Sequence, residues 1–192
     1  MARNREFEPK EALEKAMMVF WQKGYTDTSI DDLVEATGVS RYGLYGVFGN
    51  KRGLFLASLD HYQYTAVKEF FGIVEQPGAC LREIKMYFNK VLDLYSQPTG
   101  KLGCLMCNTA TEVAPHDKGV AKKVHGAMER MKCGFVIALE NAKMNGETRA
   151  DLDIKQSADF LTGVLLGASV MARSGASKKM IQNVVETSLA TL

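Results

Sequence analysis

A chain of 192 residues with 46% hydrophobic and 24% charged residues has the composition of a globular protein, which excludes disorder throughout. The formal net charge of +2 is too small to mark a polyanion binder by total charge, so a nucleic-acid role must rest on where the basic residues stand. The opening stretch "MARNREFEPKEALEKA" lacks the apolar core of a secretory signal and no later run is long and apolar enough to span a bilayer, so a cytoplasmic location is expected. In that reducing compartment Cys80, Cys104, Cys107 and Cys133 are expected as free thiols.

In chain order, helical spacing recurs almost everywhere and strand patterning is nearly absent, which predicts an all-α fold of about nine helices. From Pro9, the residues Leu13, Ala16, Met17 and Phe20 form one apolar stripe, and Gly24 ends that helix. In "TDTSIDDLVEATG", Thr28 or Ser29 can cap a second helix, Asp31 and Asp32 suit its first turn, and Gly38 closes it. Ser40 opens a third, "SRYGLYGVF", with Leu44 and Phe48 on one face and Arg41, Tyr42 and Tyr45 on the other. Asn50 can cap a longer helix through "KRGLFLASLDHYQYTAVKEFF", which "EQPG" breaks. Helical spacing resumes in "ACLREIKMYFNKVLDLYS", stops at "QPTGKLG", and continues from about Lys118 to Met144 after a break at "APHD". Asp153 and Ser177 can cap the last two helices.

Residues 28 to 48 thus read as helix, short glycine-containing turn, helix, with a preceding helix able to pack on both. That is the layout of a helix-turn-helix, whose second helix enters the DNA major groove. Ile30, Leu33, Val39, Leu44 and Phe48 can fill its small core. Between Ser40 and Arg52 the charged residues are Arg41, Lys51 and Arg52, with no carboxylate, and Arg3 and Arg5 stand in an N-terminal arm. This clustering suits phosphate contact. A helical trio of this kind also occurs in proteins that never touch DNA, and an isolated Arg or Lys is commonly a solvated surface charge.

The run "GYTDTSIDDLVEATGVSRYGLYGVFGNKRGLF" resembles the DNA-binding module of the TetR/AcrR family of bacterial transcriptional repressors, in its Thr-Ser cap, Gly-Val-Ser turn, Leu-Tyr pair and Phe-x-x-Lys ending. "GCLMCNTATEVAPHD" and "GETRADLDIKQSADFL" resemble the ligand-binding half of one branch of that family. The resemblance implies a helix-turn-helix domain over residues 1–50 and a ligand-binding and dimerisation domain over 51–192. It implies phosphate contacts from Thr28, Tyr45 and Lys51, and a recognition-helix leading edge of Ser40, Arg41, Tyr42 and Gly43. Gly46 and Val47 stand where many relatives carry an aromatic residue or histidine. Two glycines in that helix, Gly43 and Gly46, cost about 1 kcal/mol each relative to alanine.

In the C-terminal two thirds, most of the large apolar residues are expected in the core, with Tyr87 among those available to a ligand pocket. Cys104, Cys107, Asn108, Glu112 and His125 are the polar candidates to line it, although each also fits a helix surface or a satisfied buried group. Gly163, Gly167, Ala168 and Ser169, with Met180, Ile181, Val184 and Val185, suit close helix packing, either as internal core or as a homodimer interface of the last two helices. A two-fold dimer would place two recognition helices roughly 34 Å apart on a palindromic operator.

The function expected is therefore a ligand-responsive DNA-binding repressor, released by a small-molecule inducer and needing no cofactor or metal. An enzyme is disfavoured: no nucleophile motif or phosphate loop is present, and His61, His116 and His125 are not paired at metal spacing. The C-x-x-C formed by Cys104 and Cys107 leaves three readings open, namely packing or pocket lining, a thiol pair sensing redox state or electrophiles, and half of a metal site. Redox pairs gain reactivity at the start of a helix in a thioredoxin-like setting, and zinc needs a second ligand pair. This all-α chain offers neither clearly.

Overall fold

The computed structural model describes residues 7–192, so Arg3 and Arg5 lie outside the described residues. Helix α1 (Pro9–Lys23) starts with proline in its first turn, where no backbone hydrogen bond is lost, and ends at Gly24, whose φ of 87° a side chain would strain. Helix α2 (Ile30–Thr37) opens with a capping box. The Ser29 hydroxyl accepts from the Asp32 amide at 3.0 Å, and the Asp32 carboxylate accepts from the Ser29 amide at 2.8 Å. Gly38, left-handed at φ 72°, makes the tight turn to α3 (Arg41–Phe48), which Ser40 caps.

Asn50 caps α4 (Lys51–Tyr62), its side-chain oxygen accepting from the Gly53 amide at 2.8 Å. A π-helical stretch over Gln63–Val67 carries this rod without a break into α5 (Lys68–Phe71). The remaining elements are α6 (Leu81–Tyr95), a 3-10 segment (Pro98–Leu102), α7 (Leu105–Glu112), α8 (Lys118–Met144), α9 (Ile154–Arg173) and α10 (Lys178–Leu189). Taking α4 and α5 as one rod, nine α-helices and no strand occur among the described residues, as the periodicity predicts. Asp117, Asp153 and Ser177 cap α8, α9 and α10.

Two apolar clusters organise the helices. In the first, Ala16, Phe20, Leu33, Leu44, Leu54, Phe55 and Leu59 from the first four helices pack with Leu105, Met106, Val120 and Val124 of α7 and α8. Ile30 and Phe48, expected in the small helix-turn-helix core, are half-buried at its edge. The second cluster joins α5, α6, α8, α9 and α10 through Phe71, Ile84, Phe88, Phe135, Leu139, Leu161, Ile181 and Val185. At its centre Phe135 stacks on Phe88 with ring centroids 5.9 Å apart and takes the edge of Phe71 at 5.3 Å. Phe135→Ala removes the ring these neighbours close around, and denaturant unfolding should show a loss of about 3–5 kcal/mol without loss of helical signal in the folded state.

Candidate DNA interface and ligand cavity

The α2–α3 pair presents an exposed edge at the start of α3. Tyr42 leads it, 83% exposed, beside exposed Ser40 and Arg41. The Arg41 guanidinium lies 5.4 Å from the Tyr45 ring centroid, a cation–π contact that holds both side chains on one face. Gly43 is required by packing: a Cβ there would come within 2.8 Å of the Val39 side chain. Gly46 has open space around it and carries no such demand.

Lys51 sits at the start of α4 with its ammonium 4.5 Å over the Tyr25 ring and donating to the Thr26 carbonyl at 3.4 Å. Partial burial lowers its pKa from the ordinary lysine value. Arg52 is occupied elsewhere, forming a fork onto Asp117 with Nε at 2.6 Å and Nη2 at 2.9 Å. Thr28 departs from the expectation of a phosphate contact. Its side chain is 1% exposed, and its hydroxyl donates to the Gly24 carbonyl at 2.5 Å. It pins the α1–α2 turn while Ser29, one residue later, takes the cap.

A cavity of about 360 Å³ opens between α1, the α4–α5 rod, α6, α7 and α9. Its walls are mainly apolar and aromatic, with Tyr62, Phe70, Tyr87 and Tyr95 among them, and Cys104, Cys107 and Ser169 on one side. Tyr87, Cys104 and Cys107 are thus brought together as expected candidates. Burial pushes the Tyr62 and Tyr87 hydroxyls well above the ordinary tyrosine range, so both stay protonated donors.

Cys104 occupies the N-cap position of α7, so the C-x-x-C begins a helix, although not in a thioredoxin-like α/β setting. The Cys107 thiol and the Tyr62 hydroxyl bring the Cys104 thiol below the ordinary cysteine range, while the neighbouring Cys104 and burial push Cys107 up.

Asn108, Glu112 and His125 do not line this cavity. Asn108 and Glu112 lie four apart on α7, beside Cys107, which borders both spaces. They line a separate cleft with Gly24, Thr26 and Arg173. Asn108 donates to the Leu102 carbonyl at 3.0 Å. The Glu112 carboxylate accepts from the Tyr25 amide at 3.2 Å and the Thr26 amide at 2.7 Å, binding α7 to the α1–α2 turn. His125 is exposed on α8. Conversely, Trp21 of α1 lines the cavity and was not anticipated. The available signal was its place one residue after Phe20, where a large aromatic next to a core position points sideways from the stripe.

The comparisons with known proteins agree over both halves. Residues 12–58 match the family described as bacterial regulatory proteins, tetR family, and residues 80–187 match the tetracyclin repressor-like C-terminal domain. The HTH-type transcriptional repressor ComR of Escherichia coli (strain K12) is 34% identical over 97% of this chain and 90% of its own length. This chain belongs to the TetR family. A second relative, the uncharacterized HTH-type transcriptional regulator YezE of Bacillus subtilis (strain 168), is 31% identical over the full length of both chains. A cysteine mutant of the TetR family transcriptional regulator CifR, complexed with 26bp double-strand operator DNA, superposes with a TM-score of 0.85 at 27% identity, covering 98% of each chain. Membership makes this chain a DNA-binding transcriptional regulator rather than an enzyme. Among the described residues no helix is long and apolar enough to cross a membrane.

Side-chain links join the TetR DNA-binding helices and α4 to the rest, among them those of Glu112 and of Arg52 to Asp117. Glu112→Ala leaves two backbone amides without their partner and should lower stability by about 1 kcal/mol in denaturant unfolding, with Glu112→Gln intermediate because one acceptor oxygen remains. Asp117, paired with Arg52 and two α8 amides, has its pKa held well below the ordinary carboxylate value. Its stabilisation is therefore complete above that ordinary value, about 3.9, and is lost as pH falls toward the lowered native one. Acid titration of unfolding midpoints should show a shallower decline for Asp117→Asn than for the wild type.

Proposed function

We propose that this TetR-family regulator is a ligand-responsive repressor that acts in the cytoplasm, binding a palindromic operator as a homodimer and leaving it when a small molecule enters the cavity. The observation that carries this reading is the position of α7: its first turn supplies Cys104 and Cys107 to the cavity wall, and its last residue, Glu112, holds the turn that precedes α2. A ligand that favours a shifted α7 changes the placement of the recognition helices through that link. It does so by its differential affinity for the two arrangements. In this reading residues 1–50 carry DNA contact and 51–192 carry ligand binding and dimerisation. Ser40, Arg41, Tyr42 and Gly43 form the leading edge, while Tyr45 and Lys51 meet phosphate.

The homodimer reading is supported by the outer faces of the last two helices. Phe160 and Val170 of α9 are 47% and 54% exposed, and Met180 of α10 is 57% exposed. Gly163 and Gly167 lie on the same side of α9 with nothing near their Cβ positions, which suits close approach of a second copy. The alternative, a redox- or electrophile-sensing repressor using Cys104 and Cys107, is not favoured. Cys107 is buried and held protonated, so it is a poor resolving partner for Cys104.

The test is fluorescence anisotropy of the full-length protein on duplexes selected from a random pool, with sedimentation to fix the dimer. Sequence-specific binding to a palindrome that weakens with added salt is expected, and its absence at low salt overturns the repressor reading. Arg41→Ala should cost about 1–3 kcal/mol on the selected site and relax discrimination, whereas Lys51→Ala should weaken selected and random duplexes alike and reduce the salt slope by about one.

A further inference from the structure

The indole nitrogen of Trp21 is the one buried side-chain nitrogen or oxygen without a hydrogen-bond partner among the described residues. An indole N–H is a donor only, and leaving it unpaired away from water is costly enough that native structures seldom do so. Trp21 lines the cavity, where its ring meets Tyr62 edge-on with centroids 5.0 Å apart. The backbone around it is already committed, since the Trp21 carbonyl accepts from Arg173 at 3.3 Å. The side-chain donor is unpaired, and a ligand in the cavity reaches it only by displacing the side chains that cover it.

The rest of the wall restricts what can answer it. No lysine, arginine or histidine lines the cavity, so an anionic group would be buried there without a counter-charge. The charged lining residue is Glu69, and it is exposed. Aromatic and aliphatic side chains supply most of the remaining surface. The site therefore fits a neutral, largely apolar molecule carrying a carbonyl-type acceptor.

We propose that the effector of this regulator belongs to that class and that its acceptor takes the Trp21 indole N–H. This rests on the reading that the cavity is the effector site, and it adds a direct contact with the DNA-binding half. Trp21 belongs to α1, three residues before Gly24, the turn that Thr28 and Glu112 hold. The ligand touches the module whose placement it controls, without an intermediary. Trp21 then serves as the specificity-determining residue for the acceptor.

The experiment is calorimetric titration of the full-length protein with acetophenone and with its isostere α-methylstyrene, in which CH2 replaces the carbonyl oxygen. The ratio of the two affinities is compared between the wild type and Trp21→Phe. The proposal expects the ketone-to-hydrocarbon ratio to fall roughly fivefold to tenfold in Trp21→Phe, the smaller ring changing both affinities alike through lost apolar contact. Because the chain holds one tryptophan, a shift of its emission on adding the hydrocarbon to the wild type places the probe beside Trp21.

An unchanged ratio means that the ketone oxygen does not reach the indole N–H, and overturns the proposal while the cavity remains the effector site. Failure of both compounds to bind overturns the cavity reading and the proposal together. If Trp21→Phe does not fold, replacing the single tryptophan with benzothienylalanine, where sulfur stands for the N–H in a ring of the same shape, provides the same comparison.

Discussion

The structure depends on one apolar seam, in which Phe20, Leu54, Phe55 and Leu59 of α1 and α4 bury themselves against Leu105, Met106, Val120 and Val124 of α7 and α8. Three short helices enclose too little apolar surface to be stable alone, so the DNA-binding module completes its core with residues from the other half. The consequence is mechanical. Close-packed interfaces of this kind shift between discrete arrangements rather than deforming continuously, so a displacement of α7 is passed to the helix-turn-helix instead of being absorbed.

Polar contacts at the seam set its register rather than its strength. Glu112 reaches the Tyr25 and Thr26 amides, Arg52 grips Asp117, and Arg173 spans the Trp21 and Leu102 carbonyls. Arg52 and Arg173 are exposed and Asp117 is half-buried, so each contact contributes little to overall stability. Their geometry matters more. A fork onto a helix-capping carboxylate and a carboxylate shared by two amides are directional contacts that distinguish one placement of α1 and α4 from another.

The cavity is built where the two apolar clusters adjoin. Phe71, Tyr87 and Leu165 belong to one cluster and Met18, Tyr62 and Cys104 to the other, so the space between them is walled by both halves of the molecule. A site in that position lets a ligand alter the relation between the clusters, because it touches both. The π-helical stretch at Gln63–Val67 adjoins the same wall, with Thr65, Ala66 and Val67 lining it. Such a stretch often marks a functional site, since the wider turn leaves backbone groups less tightly committed.

The helices, their caps and the helix-turn-helix layout were legible because the signals are short-range. Ser29, Ser40, Asn50, Asp117, Asp153 and Ser177 act within three residues of themselves, and the apolar stripe of α4 closes on its own period. Tyr87, Cys104 and Cys107 could be nominated for a pocket, but Asn108, Glu112 and His125 could not be separated from them, because proximity in sequence does not say which helix face meets the cavity. Trp21 escaped for the same reason, being read through its neighbour Phe20. The partners of Glu112 lie 87 and 86 residues away, and those of Arg173 lie 152 and 71 residues away. What the sequence by itself determined is therefore the order, ends and polarity of the helices. Only the tertiary structure decided which faces enclose the cavity and which side chains tie the DNA-binding helices to it, since packing sets helix rotation and residues distant in the chain become neighbours only after folding.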